Sequence, residues 1–317
     1  MKNLNLVRTL IIVSLVLCGS IAFYQCNSSK NKVKVTINSW VGFGPLFIAQ
    51  ETGIFEKNGL DIEIVRMENA PDRRASLLSG KVHVVASTLD DLAVTLSQGI
   101  DATAFCCADY SYGGDAVIAK KGIILEDIHN YSIAVQPGFV HHFFLLYVLH
   151  KKGISIDSIK INPMTANDAG AAFLAGNIDI AVTWQPYISQ AENNGCEILA
   201  STAEYPEAIL DLFIAKKDWL AKNPNFASSF RKSWDEAVEY INKNKEKSLK
   251  ILGENLGFNP AEVEEMLLDI DYLTSGKTKE SVIPKLDSLS KDVVYIWNKA
   301  GYINKDIDLK SSIKLEQ

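Results

Sequence analysis

The sequence repeats one unit of strand, glycine, strand and helix, and this repetition limits the folds that the chain can adopt. LLSGKVHVVASTLDDLAVTLSQG begins at Leu77 and FLAGNIDIAVTWQPYISQAENNG begins at Phe173, so that Gly80 matches Gly176. Upstream, VTINSWVGFGPLFIAQETGIFEKNGLDIEIV and IAVQPGFVHHFFLLYVLHKKGISIDSIKI form a second matching pair. The offsets of the two pairs are 96 and 98 residues. A duplication of this size predicts two similar lobes with a cleft between them.

The predicted strands are short and rich in Val and Ile, and segments of helical length separate them. Strands of this composition are typical of a sheet that is buried on both faces. The alternation of strands and helices is that of repeated βαβ units. We therefore predict an α/β fold in which each lobe has a mostly parallel sheet covered by helices.

Two further segments connect the predicted lobes. The first, residues 105–122, contains DAVIAKK from Asp115, and the second, residues 205–220, contains DLFIAKK from Asp211. Their similarity predicts equivalent strands that lie side by side. The helical pattern after Asp218 predicts helices that complete the first lobe. The predicted divisions are a signal or anchor at 1–26, a tether at 27–32, lobe 1 at 33–114 and 212–317, and lobe 2 at 115–211.

The N-terminal segment has the pattern of an export signal. Lys2 and Arg8 precede an apolar run, and no charge appears again before Lys30. A polar stretch follows Cys26, so we predict a lipoprotein signal with lipidation at Cys26, and with Cys18 as the alternative. A retained membrane anchor and a cleaved signal are the other outcomes. All three place the rest of the chain outside the inner membrane, and we predict a membrane-anchored protein in the periplasm or at the cell surface.

Composition and motifs exclude several functions. The net charge of −6 argues against a nucleic-acid partner. His141 and His142 are adjacent on a predicted helix, so their side chains diverge by about 100° and do not share a metal easily. The sequence contains no Gly-x-Ser-x-Gly, His-Glu-x-x-His or P-loop motif. We therefore predict no metal, no cofactor and no enzymatic activity.

In open α/β sheets, ligands bind outside the carboxyl ends of the strands, where helices begin. In this sequence a turn with Trp40 and Phe43 stands at such a strand end, before a helix whose first residue is predicted to be Pro45. Both aromatic side chains are expected to form walls of the cleft. The alternative is that Trp40 packs over its own helix as a core residue.

Several stretches, among them GFGPLFIAQETGIFEKNGLDIEIV, DYSYGGDAVIAKKG and NDAGAAFLAGNIDIAVTWQPYIS, together resemble the nitrate, sulfonate and taurine type of substrate-binding protein of bacterial ABC importers. The thiamine-pyrimidine-precursor binders belong to the same broad group. The resemblance covers residues 33–241 and, more weakly, the rest. It implies a type II periplasmic binding protein fold, with two α/β lobes and two hinge crossings. It also implies capture of a small solute and delivery to a permease and an ATPase, and we expect a monomer.

Carried over by this resemblance, the ligand-binding candidates lie at strand ends and in the crossing segment. They are Trp40, Phe43, Ser87, Thr88, Asp109, Tyr110, Tyr112, Gly138, Phe139, His141, Trp184 and Asp211. Their aromatic rings and carboxylates favour a small organic solute of the sulfonate, taurine-like, pyrimidine or other heterocyclic type. Arg73 and Arg74 are expected on a solvated face. The alternatives are a nitrate-type anion binder and a ligand-sensing receptor subunit with the same fold.

Overall fold

A computed structural model describes residues 32–157, 159–305 and 307–315 of the chain. Cys18 and Cys26, and with them the predicted signal and lipidation site, lie outside the described residues. No helix in the described ranges is both long enough and apolar enough to span a lipid bilayer.

Eleven strands in the described residues form two mixed sheets. They are β1 (Val33–Ile37), β2 (Ile62–Arg66), β3 (Val84–Thr88), β4 (Ala102–Ser111), β5 (Asp115–Ala119), β6 (Ser132–Val135), β7 (Lys160–Pro163), β8 (Ile180–Trp184), β9 (Glu197–Ser201), β10 (Leu210–Lys216) and β11 (Ile270–Tyr272). The first sheet has the order β11-β4-β10-β3-β1-β2, and the second has the order β7-β6-β8-β5-β9.

The prediction that each sheet is mostly parallel is wrong. Only the strands of the duplicated unit run parallel, namely β2-β1-β3 in the first sheet and β7-β6-β8 in the second. β10 pairs antiparallel with β3 and β4, and β5 pairs antiparallel with β8 and β9. The reason is the crossings: a strand that enters from the opposite lobe arrives at the carboxyl ends of the parallel strands and runs back along them.

The two crossing strands are equivalent, but they do not lie side by side as predicted. β5 belongs to the second sheet and β10 to the first. Asp115 at the start of β5 is paired with Trp184, and Asp211 in β10 is paired with Thr88. Because Thr88 and Trp184 end corresponding strands of the duplicated unit, the two aspartates occupy matching places in the two sheets.

The crossing segments are held together by a buried hydroxyl. Thr202 Oγ1 accepts hydrogen bonds from the backbone N–H of Gly113 at 2.8 Å and of Asp115 at 3.3 Å, and it lies 2.8 Å from Ser111 Oγ. Thr202 follows β9 and Gly113 follows β4, so this single side chain joins the two connections between the sheets.

Helices cover both sheets. They are α1 (Pro45–Glu51), α2 (Ile54–Lys57), α3 (Ala70–Leu78), α4 (Leu89–Ser97), α5 (Val140–Lys151), α6 (Ala166–Leu174), α7 (Tyr187–Asn193), α8 (Lys217–Lys222), α9 (Phe226–Lys243), α10 (Lys245–Leu256), α11 (Pro260–Leu267), α12 (Ser275–Lys277) and α13 (Leu286–Lys299). Pro45 is the first residue of α1, as predicted, because its missing N–H has no helical acceptor at that position.

The last helix contacts both halves of the duplication. α13 packs against α4, which follows β3, and against α5, which follows β6. Its Trp297 is fully buried, with its ring centroid 5.6 Å from that of Phe143 in α5. One continuous apolar cluster therefore runs from the first sheet to the second behind the crossings.

Candidate functional site

A narrow cavity lies where the carboxyl ends of β1, β3 and β8 meet the starts of the crossing strands. Its walls come from both sheets: Asn38, Trp40, Phe43, Arg73, Ala86, Ser87, Thr88, Asp91, Asp115, Phe139, Val140, Trp184, Ile209 and Asp211. The cavity has a volume of about 20 Å³, which is room for little more than one water molecule. Side chains from the opposite walls are therefore in contact.

The main contact across the cavity is between two tryptophans. The ring centroids of Trp40 and Trp184 are 6.1 Å apart, and the ring planes are inclined by 22°. Trp40 Nε1 donates to Asp109 Oδ1 at 3.2 Å, and Trp184 Nε1 donates to Asn167 Oδ1 at 2.7 Å. Each ring is thus held by its own half of the molecule. A flat molecule could enter between them only if the rings moved apart by about 3.5 Å, the thickness of an aromatic ring in contact.

The hydroxyl groups at the end of β3 are already engaged. Thr88 caps helix α4, and its Oγ1 accepts from the backbone N–H of Asp91 at 3.4 Å. Ser87 Oγ donates to Asp91 Oδ2 at 2.7 Å, and Asp91 also forms a buried ion pair with Arg74. Hydrogen bonds and one ion pair thus connect these four residues with one another, and the charges of Arg74 and Asp91 cancel.

The prediction that Arg73 and Arg74 lie on a solvated face is wrong. Their exposed fractions are only 3% and 7%. Arg73 Nη1 donates to the backbone carbonyls of Met67 and Glu68 at 2.8 and 2.9 Å, and its guanidinium lies 5.8 Å from the Phe139 ring centroid. Burial lowers the pKa of Arg73, although nearby carboxylates oppose this shift. Helix α3 follows the carboxyl end of β2, and this position places Arg73 in the cavity wall.

Buried carboxylates surround the same region. Asp211 and Asp115 line the cavity, and Asp109 lies behind Trp40. Burial raises the pKa of Asp109 to about 8, while the hydrogen bond from Trp40 lowers it. Burial, followed by the charges of Asp109 and Asp115, holds the pKa of Asp211 well above its usual range. Burial also raises the pKa of Asp90, next to the α4 cap, to about 7.

His141 supports the cavity wall from behind. Its Nε2 atom lies 2.9 Å from Asp115 Oδ1, but the approach is too bent for a hydrogen bond. The imidazole packs edge-on against Trp184, with centroids 5.2 Å apart, and stacks on Phe139 at 5.8 Å. His141 therefore fixes the positions of two wall residues without itself lining the cavity.

Seven of the twelve predicted site residues line the cavity: Trp40, Phe43, Ser87, Thr88, Phe139, Trp184 and Asp211. Asp109 and His141 contact the wall residues from behind. Tyr110 belongs to the apolar core, Tyr112 is 51% exposed, and Gly138 packs next to Tyr302.

Sequence reasoning missed the other seven lining residues: Asn38, Arg73, Ala86, Asp91, Asp115, Val140 and Ile209. For Asp115 a signal was available. DAVIAKK and DLFIAKK match from their first residue, and only Asp211 of the two aspartates was carried into the predicted site. No group of three or more His, Cys, Asp or Glu side chains in the described ranges is arranged to hold a metal ion.

Comparison with known proteins identifies the family. The family described as NMT1-like matches residues 27–252. The chain belongs to the NMT1-like family. A taurine-binding periplasmic protein of Escherichia coli is 27% identical over 205 residues, which are 63% of this chain and 64% of that protein. The predicted relationship to substrate-binding proteins is confirmed, because the curated relatives of this NMT1-like chain are named as such.

Solved structures confirm the predicted periplasmic binding protein fold of this NMT1-like chain. The periplasmic aliphatic sulphonate-binding protein of Escherichia coli superposes with a TM-score of 0.74 at 18% identity, covering 90% of this chain and 98% of that one. A ligand-binding component of an ABC-type import system from Staphylococcus aureus gives a TM-score of 0.72 at 14% identity, covering 90% and 96%.

Proposed function

We propose that this NMT1-like protein is the extracytoplasmic solute-binding protein of an ABC importer, and that it captures a small organic solute between its two lobes. The contact between Trp40 and Trp184 carries the proposal. Two indole rings from opposite lobes, each held by a hydrogen bond to its own lobe, form a pair of walls suited to a flat or apolar solute.

Capture requires the lobes to separate and close again. Beside the tryptophan pair, hydrogen bonds from Gln185 Nε2 to Asp269 Oδ2 at 2.7 Å and from Gln136 Nε2 to Asn69 Oδ1 at 3.4 Å cross the cleft. The Arg73 guanidinium also faces the Phe139 ring across it, 5.8 Å from the ring centroid. These contacts are few, whereas the apolar cluster around Trp297 behind the crossings is continuous. We infer that the lobes rotate about this rear cluster and the crossing segments, and that a bound solute replaces the direct contact between the rings.

The partners follow from the same proposal. The solute would be passed to a permease with an associated ATPase, and the binding protein would act as a monomer. A lipid on Cys26, with Cys18 as the alternative, would keep it at the outer face of the inner membrane. The names of the taurine- and sulphonate-binding relatives and of the ABC-type import component support these roles.

The test is a screen for stabilising solutes with the whole chain in mild detergent. A solute bound only by the folded protein raises the unfolding temperature, and the rise grows with the logarithm of the ratio of its concentration to its dissociation constant. Taurine, short alkanesulfonates, aminopyrimidines and nitrate form the panel. Stabilisation that Trp184→Ala removes supports the proposal. Stabilisation that persists unchanged in both Trp184→Ala and Trp40→Ala would place the site elsewhere and contradict it.

A further inference from the structure

We propose that the solute carries a positive charge next to its flat or apolar part, and that Asp211 and Asp115 bind this charge. This inference rests on the proposed function and specifies its ligand class. It distinguishes this chain from a binder of simple anions.

Asp211 is the first observation. Its side chain lines the cavity and is only 5% exposed, so it is largely removed from solvent. In the described residues its carboxylate takes part in no hydrogen bond and in no ion pair within 4.0 Å, and the positive charge of Arg73 acts on it only from a longer distance. A buried carboxylate without a partner costs several kcal/mol unless a proton or a cation neutralises it. Such a group is thus ready to accept an ammonium or a protonated ring nitrogen.

Asp115 is the corresponding group of the other sheet. It is 4% exposed, lines the same cavity, and its near neighbour is His141 Nε2 at 2.9 Å in a bent approach. The strand pairing of Asp115 with Trp184 and of Asp211 with Thr88 puts one carboxylate at each matching strand end. Two lobes that close on a solute therefore each bring a carboxylate to it.

The remaining charges of the cavity wall do not neutralise these two groups. Asp91 is already paired with Arg74. Among the lining side chains of the described structure, Arg73 is the cationic residue, and its Nη1 atom donates to two backbone carbonyls. Its charge lowers the pKa of Asp211, but burial and the neighbouring carboxyls still hold that pKa well above its usual range. Asp109 adds a further buried carboxyl behind Trp40. An anionic solute would thus be enclosed with more carboxyl groups than unpaired cations.

The aromatic walls favour a cation for a separate reason. The face of an indole ring attracts cations more strongly than that of any other aromatic side chain. Closure removes water from the carboxylates and from the rings together, and a cation between them compensates both. The raised pKa of Asp211 agrees with this view, because in the closed cleft without a cation the carboxyl group holds a proton in its place.

Three probes that share a benzene ring and differ in charge test the inference: benzylammonium is a cation, benzyl alcohol is neutral and benzenesulfonate is an anion. Their affinities for the whole chain in mild detergent are measured by titration calorimetry. We expect benzylammonium to bind about tenfold or more tightly than benzyl alcohol, as for a hydrogen bond to a charged group, and benzenesulfonate to bind most weakly. Asp211→Asn should remove most of the preference for benzylammonium and leave the affinity for benzyl alcohol within about twofold.

Asp61→Asn is the matched control, because Asp61 is exposed and outside the cavity, and it should behave as wild type. If Asp211→Asn does not fold, as judged by circular dichroism, Asp115→Asn replaces it. The inference is overturned if benzenesulfonate binds most tightly, if the preference survives in the variant, or if benzylammonium at about 10 mM does not bind. In the first two cases a loss of binding in Trp184→Ala would leave the proposed function standing. Binding that is indifferent to both Trp184→Ala and Trp40→Ala would contradict the inference and the proposed function together.

Discussion

Gly114 lies directly against the outer edge of the Trp40 ring. A Cβ atom on Gly114 would be 2.4 Å from Trp40 Cη2, closer than side-chain carbons approach one another. The ring has no room to retreat, because Trp184 stacks on it and Asp109 accepts its N–H. The crossing segment and the cavity wall therefore fit together only with glycine at this position.

Gly114→Ala should accordingly weaken solute binding by about tenfold or more, through displacement of the Trp40 ring. The measurement is calorimetric titration with a solute found in the screen. Gly276→Ala is the control, because an added Cβ there meets nothing nearer than Thr274 Oγ1 at 3.9 Å. Equal affinities of the two variants would show that Trp40 does not depend on Gly114.

Trp184→Ala is expected to weaken binding by roughly 2 kcal/mol or more, in the range of a buried aromatic anchor. Its free energy of unfolding should change by less than the ~3–5 kcal/mol that emptying a core aromatic site costs, because the cleft can open to water. Trp234→Ala is the contrasting variant. Trp234 is 1% exposed and donates to the backbone carbonyl of Leu273 inside one lobe. The Trp234→Ala protein should therefore lose stability, while its folded fraction keeps the wild-type affinity for the solute. If Trp184→Ala instead unfolds the chain while folded molecules bind normally, Trp184 is a core residue.

Asp109→Asn should make the free energy of unfolding less dependent on pH. The folded carboxyl has a pKa of about 8, raised by burial from the ordinary value of 3.8, so between these values the folded state holds a proton that the unfolded state has lost. The stability that this group contributes is fully present below the unfolded-state pKa of 3.8 and is lost as the pH rises through the folded-state pKa of about 8. The loss is at most about 1.4 kcal/mol per pH unit.

The groups that influence Asp109 are the Trp40 N–H and the carboxyls of Asp115, Asp271 and Asp211. Asparagine keeps an oxygen for the Trp40 bond and removes the titration. Urea unfolding between about pH 5 and pH 8 should show the variant gaining stability over wild type as the pH rises. A difference that stays constant over this range would contradict the predicted proton uptake.

Closure should be visible in solution. Since the rings of Trp40 and Trp184 touch in the closed form, solute entry requires an open form, and small-angle scattering should show a smaller radius of gyration once a solute saturates the site. The same titration with Trp184→Ala, at concentrations where it binds no solute, serves as the control. An unchanged radius in saturated wild-type protein would indicate a rigid cleft.

Lipidation is tested separately from binding. Labelling of cells with a palmitate analogue should mark the protein, and Cys26→Ser should remove the label while Cys18→Ser retains it. The reverse result would move the modification to Cys18. Absence of label in the wild type would favour a retained anchor or a cleaved signal.

The sequence alone determined the two-lobed α/β architecture, because a duplication is visible wherever the order of strands, glycines and helices recurs. The match of Gly80 with Gly176 required no knowledge of the fold, and Trp40 followed from its place at a strand end, whereas Trp184 was carried over by the family resemblance. These are local properties of the chain, set by periodicity and by where helices begin.

Tertiary structure decided the direction of β5 and β10, the burial of Arg73 and the arrangement of the carboxylates. Arg73 looks like a surface residue, since charge on a helix is usually solvated, but it is buried between backbone carbonyls of its own lobe and Phe139 of the facing lobe. The match of DAVIAKK with DLFIAKK indicated that Asp115 and Asp211 are equivalent, but it did not indicate that their strands lie in different sheets and run antiparallel to their neighbours. Burial and charge balance are sums over neighbours distant in sequence, so they exist only once the chain has folded.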